Sequence, residues 1–196
     1  MINIPNYKII KLIYESTHSF VFRAKNKNNQ PVILKILKED YPSPEELTRY
    51  QQEYDFTRRL AADLNGVIKI YSLEKYQNTQ VICLEDFGGE SLKYWLTMRS
   101  FSLDELLTLA IRITDILEEV HKKHIIHKDI NPTNLVWNPV TDVLKMIDFG
   151  ISTQLSQQQV TFKNPNVLEG TLAYISPEQT GRMNCALDYR TEFRLP

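Results

Sequence analysis

From Tyr7 to Leu37 the chain alternates and pauses between apolar and polar residues like strands, over Tyr7–Ile13, Phe20–Lys25 and Val32–Leu37. The polar run Asn26-Lys27-Asn28-Asn29-Gln30 divides the second from the third as a turn, which predicts three antiparallel strands. The period then lengthens. Ser43-Pro44-Glu45-Glu46 has the chemistry of a helix start: serine as N-cap, proline at the first helical position, and Glu46 completing a capping box. Leu47, Tyr50, Tyr54 and Thr57 follow at helical spacing, with Glu53 beside that face. Val67–Leu73 and Val81–Leu84 read as two further strands around the turn Tyr76-Gln77-Asn78-Thr79. After Glu85-Asp86-Phe87-Gly88-Gly89 the pattern becomes mainly helical. Glu90–Met98 predicts a short helix, and Ser102-Leu103-Asp104-Glu105 is a second capping box with Phe101 and Leu106 placed as a hydrophobic staple. Leu103, Leu106, Leu107, Ala110, Ile113, Leu117 and Val120 give that longer helix an apolar face. Leu135–Trp137 and Val143–Ile147 read as a hairpin, and a polar stretch rich in Ser, Thr and Gln runs from Ser152 to Asn166. Five strands and one helix, followed by a mainly helical part, define an α+β chain.

Composition narrows this only a little. At 196 residues there is chain for one to two domains with a sizeable core. A formal net charge of −1 gives no footprint for a polyanion, so no nucleic-acid partner is expected. Cys83 and Cys185 form neither a disulfide framework nor a metal-ligand spacing, and Cys83 lies in an apolar run as a core residue. The start Met1-Ile2-Asn3-Ile4-Pro5 has no basic region ahead of an apolar stretch, and no apolar run is long enough to cross a bilayer. These features predict a soluble protein of the cytoplasm.

The chemistry is concentrated in His127-Lys128-Asp129-Ile130-Asn131-Pro132-Thr133-Asn134, followed after the hairpin by Asp148-Phe149-Gly150. A carboxylate at Asp129 can accept a hydroxyl proton, while the amide oxygen of Asn134 and the carboxylate of Asp148 can hold Mg2+. Phosphoryl transfer asks for this kind of positioning and charge neutralisation. The plainer alternative is an Asp/Asn-rich turn before a buried hairpin; the downstream Asp-Phe-Gly argues against it.

The two stretches together resemble the catalytic and metal-binding loops of the protein kinase family, and the resemblance extends along nearly the whole chain. It implies a two-lobe fold: an N-terminal lobe over 1–87 with a five-stranded antiparallel sheet and one helix, and a partial, mainly helical C-terminal lobe over 88–196. Val32-Ile33-Leu34-Lys35 resembles the strand whose lysine contacts the phosphates of ATP, with Glu53 as its helix partner. Glu85–Gly89 resembles the hinge, where backbone groups of Glu85 and Phe87 would meet the adenine edge. Leu84 would guard the back of that pocket, and Val21, Ile33 and Val136 would wall it. His127 would brace the backbone near Asp148. Ser152–Asn166 resembles an exposed activation segment, with Ser152, Thr153, Ser156 and Thr161 as candidate phosphate acceptors. Gly170–Glu178 resembles the peptide-docking end of serine/threonine kinases, where Thr171 would bond to Asp129.

Gln179-Thr180-Gly181-Arg182-Met183-Asn184 and Asp188-Tyr189-Arg190-Thr191 are similar to the kinase domain that begins large bacterial proteins joining a serine/threonine kinase, an ATPase-like module and a sensor histidine kinase. Downstream signalling domains in a longer parent protein are therefore implied. Three departures stand out. The phosphate-covering stretch Tyr14-Glu15-Ser16-Thr17-His18-Ser19-Phe20-Val21 has no glycine, Asn131 stands where a lysine is usual, and Lys128 where an arginine is usual. The chain ends at Pro196, where the central helix of the larger lobe is expected, so the lobe is expected to be incomplete, with exposed apolar surface, poor stability and weak or absent transfer. The reading is an ATP-dependent kinase domain acting on a Ser/Thr hydroxyl of a protein; its alternative is a nucleotide-binding or non-catalytic signalling module.

Overall fold

In a computed structural model of the chain, residues 4–38, 41–154, 170–180 and 187–193 are described. Strands β1 (Tyr7–Glu15), β2 (Ser19–Asn26) and β3 (Pro31–Leu37), helix α1 (Pro44–Ala61), and strands β4 (Ile70–Tyr76) and β5 (Thr79–Glu85) form the upper lobe. The sheet is antiparallel in the order β1-β2-β3-β5-β4. The Asn26–Gln30 turn closes through Asn26 Oδ1, which accepts from the backbone N–H groups of Asn28 and Gln30. The fourth strand begins three residues later than the pattern predicted. Val67 makes only a single parallel bridge to Met146, because it is already packed into the lower core.

One core layer, including Ala24, Val32, Leu34, Ile36 and Val81, fills one side of the sheet, with the buried Cys83 among them. Leu37, Tyr50 and Ile82 pack between the sheet and α1. Ser43 caps α1 through a capping box with Glu46, as the spacing required. Removing such a cap typically costs about 1 kcal/mol. The buried residues of α1 are Tyr50, Glu53, Thr57 and Leu60. Glu53 thus lies within the buried face rather than beside it. Leu60, with Leu64 beyond it, belongs to the core of the lower lobe, so the helix is held from both sides.

The lower lobe begins differently from the expected helix over Glu90–Met98. Glu90 and Ser91 form a short strand, β6 (Glu90–Ser91), and Ser91 then caps α2 (Leu92–Met98) by accepting from Tyr94 N–H. Helix α3 (Leu103–Lys122) starts with the predicted capping box. Its buried residues are Leu109, Ile116, Leu117 and Val120, whereas Leu103, Leu106 and Leu107 of the expected apolar face are exposed. Strands β7 (Ile125–Ile126), β8 (Leu135–Asn138), β9 (Val143–Met146) and β10 (Thr153–Gln154) follow, with β6-β8-β9 as one small sheet and β10-β7 as another. Three short 3-10 turns, Leu172–Tyr174, Pro177–Thr180 and Tyr189–Phe193, complete the described residues. No helix among them is long and apolar enough to cross a membrane.

Candidate active site

Three charged side chains from three elements meet beneath the sheet. Cross-strand neighbours in an antiparallel sheet share a face, and so do alternate residues along a strand. The pairs Val21↔Lys35 and Arg23↔Ile33 therefore put all four side chains on one face. Lys35 Nζ donates to both carboxylate oxygens of Glu53, at 2.8 and 2.7 Å, and lies 3.1 Å from Asp148 Oδ1. Burial alone disfavours the ammonium. The carboxylates of Asp148 and Glu53 outweigh it and hold Lys35 protonated, well above the usual lysine value. Burial pushes the Glu53 carboxyl up to about 7, against the pull of Lys35 and with added repulsion from Asp148. Burial also raises Asp148, but Lys35 overcomes it and leaves that carboxyl below its ordinary value. The ammonium gains from two carboxylates, while each carboxylate gains from one ammonium and loses to the other acid.

Below this triad the loop 127–134 is fixed by its own polar atoms. The fully buried His127 ring accepts from Asp129 N–H at Nδ1 (3.2 Å), leaving Nε2 to donate to Ile147 O (2.8 Å). It also stands edge-on to Phe149, centroids 4.6 Å apart. Asp129 uses both carboxylate oxygens: Oδ1 accepts from Thr171 N–H at 2.8 Å, and Oδ2 from Asn134 Nδ2 at 2.8 Å. The contact from Thr171 to Asp129 thus runs through its backbone. Its hydroxyl instead accepts from Asn131 Nδ2 at 3.0 Å. Asn131 is buried and fully engaged, with Nδ2 also donating to Asp129 O (3.2 Å) and Oδ1 accepting from Thr133 N–H (2.8 Å). Asn134 Nδ2 donates twice to Asp129, which turns its amide oxygen away from that residue. A backbone bond from Ile147 N–H to Asn134 O (3.0 Å) brings Asn134 next to Asp148 at the base of the hairpin.

Lys128 and Asp148 both have positive φ, +69° and +66°, conformations that cost a non-glycine residue of order 1–3 kcal/mol. Lys128 is held there by contacts that sequence reasoning missed. Glu192, almost wholly buried, accepts from Lys128 N–H (2.6 Å) and meets His121 Nε2 (2.6 Å). The buried Gln179 donates to Lys128 O (2.8 Å) while its own oxygen accepts from Ser176. The segment after Gly170 is therefore joined to the loop at both Lys128 and Asp129. Nothing in the periodicity marked Glu192; an acidic residue in so short a terminal stretch reads as solvated.

The glycine-free stretch forms a closed turn. Ser16 Oγ accepts from His18 N–H (3.2 Å) and Ser19 N–H (3.0 Å), and Ser16 N–H donates to Ser19 O (2.9 Å). Three amides of this turn, those of Ser16, His18 and Ser19, are thereby engaged within it. His18 at its tip lies 3.4 Å from Glu46 Oε1, and Lys38 N–H donates to His18 O (2.8 Å). At the connection between lobes, Leu84 lies opposite Ile33, and Glu85 pairs with Lys145 of β9. Glu85 N–H donates to Lys69 O (3.0 Å), and Phe87 O accepts from Asn138 Nδ2 (2.7 Å). Gly89 is required for space: a Cβ there would sit 2.7 Å from both the Phe87 ring and Val136.

One expectation needs correction. Ser152 is buried, its hydroxyl donating to His127 O (3.3 Å), so it is no exposed phosphate acceptor. Thr153 lies in β10 against β7, whereas Ser156 and Thr161 lie outside the described residues.

A sheet lobe carrying a helix-paired lysine, set over a lobe whose loop presents an aspartate and an asparagine, defines a two-lobe phosphotransfer fold. The chain belongs to the protein kinase domain family, whose model matches residues 7–189. It is 29% identical over 95% of its length to a probable serine/threonine-protein kinase of Clostridium perfringens. It is 30% identical over 88% of its length to the serine/threonine-protein kinase PrkC of Bacillus subtilis, and 25% identical over 92% to the probable serine/threonine-protein kinase PknB of Lactococcus lactis. The chain spans 27%, 26% and 29% of these relatives' own lengths.

Proposed function

We propose that the chain is an ATP-dependent serine/threonine protein kinase domain that transfers the γ-phosphate of ATP to a protein hydroxyl in signal transduction. The observation that carries this reading is Asp129: one oxygen is bonded to Thr171, in the segment that would dock a peptide, and the other to Asn134. In the reaction the substrate hydroxyl oxygen bonds to the γ-phosphorus, the bond to the bridging oxygen breaks, and ADP leaves. The hydroxyl proton passes to Asp129. Lys35, held by Glu53, takes the phosphate charge; Val21, Ile33 and Val136 wall the base; backbone groups at Glu85 and Phe87 meet its edge. Among the described residues no cluster of three His, Cys, Asp or Glu stands ready for a metal. Two hard oxygens, from Asn134 and Asp148, suit Mg2+, which retains waters and shares phosphate oxygens. That ion, when bound, neutralises charge developing on the transferring group. The reading carries with it the cytoplasm, where ATP is available, and further signalling domains in a longer parent protein.

Radiolabelled transfer from ATP to a generic protein substrate, with Asp129→Ala as control, tests it. Loss of a general base should lower the rate about 10²–10⁴-fold; equal transfer by both proteins overturns the reading. The engaged amides of the Ser16 turn and the neutral Asn131 favour one alternative, a module that binds nucleotide without transferring phosphate. A melting shift with Mg-ATP and no transfer would select it.

A further inference from the structure

Arg23 lies on the cleft face of β2, in the row with Val21, Ile33 and Lys35, where an apolar residue would be the ordinary choice. Its guanidinium gathers three residues from the connection and from the lower lobe. Nη2 donates to Gly89 O (3.1 Å), and Nη1 donates to Glu90 Oε1 (3.1 Å) at the start of β6. Nε lies 2.8 Å from Asp86 Oδ2 but off the hydrogen-bond axis, so that contact is ionic. The Asp86 side chain is only 7% exposed and Arg23 20%, unlike the open pairs that contribute little. Asp86 in turn accepts from Gly88 N–H (2.9 Å), which closes the turn that holds Gly88 at φ +74°. Glu90 is paired with Trp137 in β8. One planar fork therefore connects the sheet, the inter-lobe connection and the lower lobe, a task that a lysine point charge cannot perform.

We infer that Arg23 is a positioning residue: by drawing Asp86, Gly89 and Glu90 against β2 it fixes the angle between the lobes, and it thereby sets how fast nucleotide leaves the cleft. The second half rests on the proposed function; the first does not. The test uses the full chain, wild type against Arg23→Met, with two readouts. Amide hydrogen exchange over residues 85–91, without nucleotide, should rise at least tenfold while β3 and residues 79–84 of β5 stay within twofold. Release of a fluorescent ADP analogue in Mg2+ should quicken at least fivefold, and Arg23→Lys should restore neither fully. Unchanged exchange over 85–91 overturns the proposal, and so does an equal rise along the whole chain. Should Arg23→Met not fold, Glu90→Gln, whose side chain is partly exposed, decides it by the same selective exchange, expected at about threefold. A wild type that binds no analogue would defeat the kinase reading, while exchange would still decide the clamp.

Discussion

Glu53→Gln tests the site at its tightest point. The glutamate accepts two charge-assisted hydrogen bonds from Lys35, each of roughly 1.5–3 kcal/mol. Glutamine is nearly the same shape and keeps one neutral acceptor, worth about 1 kcal/mol. Lys35 is not abandoned, because Asp148 stands 3.1 Å away and draws it more strongly once the Glu53 charge is gone. The net loss of positioning is thus about 2–3 kcal/mol, less than the roughly 3–5 kcal/mol for a buried ion left alone. Expressed in the transfer step, this lowers kcat/KM about 30- to 150-fold, at 1.36 kcal/mol per tenfold. The assay is phosphate transfer alongside a thermal melt. Stability should change little, since the buried carboxyl is itself held up near 7 and already resists its charge. A variant within threefold of wild type, with an unchanged melt, would refute the claim that the Lys35–Glu53 pair positions the reacting charge.

The same carboxyl predicts a pH dependence. Below about 7 Glu53 takes a proton and loosens its hold on Lys35, so transfer should rise as pH passes upward through that value, and Glu53→Gln should lack this limb in a pH–rate profile. Asn131→Ala removes two donations and one acceptance, about 1 kcal/mol each. It should lower kcat about 10- to 100-fold with KM for ATP nearly unchanged, as steady-state kinetics at varied ATP would read. Glu192→Ala removes the buried carboxylate that accepts from Lys128 N–H and meets His121. Loss of a charge-assisted hydrogen bond of about 1.5–3 kcal/mol should lower Tm by about 3–12 °C in a melting experiment.

The upper lobe was legible because its elements obey local rules. Serine caps with glutamates three residues on announced both long helices, and apolar runs divided by a polar turn announced β1 to β3. Glu90–Met98 was misread because a two-residue strand has no periodicity; only its pairing with β8 defines it. The apolar face of α3 was misplaced over its first turns, since Leu103, Leu106 and Leu107 have helical spacing whether or not anything covers them. Within the site, the motif residues were visible as motifs. Asn131, Gln179 and Glu192 work through buried bonds to backbone atoms far along the chain, and such bonds leave no spacing rule in the sequence. The serines of the Tyr14–Val21 stretch were visible, but that Ser16 would engage two amides was not.

The neutral Asn131 also bears on metal dependence. Among the described residues, three acids, Asp129, Asp148 and Glu53, stand around the reacting position against the ammonium of Lys35, and the amide of Asn131 adds no charge. A phosphate oxygen about 5 Å from an uncompensated carboxylate meets repulsion of about 3 kcal/mol per charge pair at an effective dielectric of 20. The turn at Ser16 offers little relief, because the amides of His18 and Ser19 are already engaged. Triphosphate without a divalent cation should therefore bind poorly. Melting should shift with ATP in excess Mg2+ and not with ATP in excess EDTA. Asn131→Lys, by returning one positive charge, should recover part of the metal-free shift even though it breaks the bond to Thr171. An equal shift by ATP in EDTA and in Mg2+ would show that some other positive group balances the site, and the charge argument would fail.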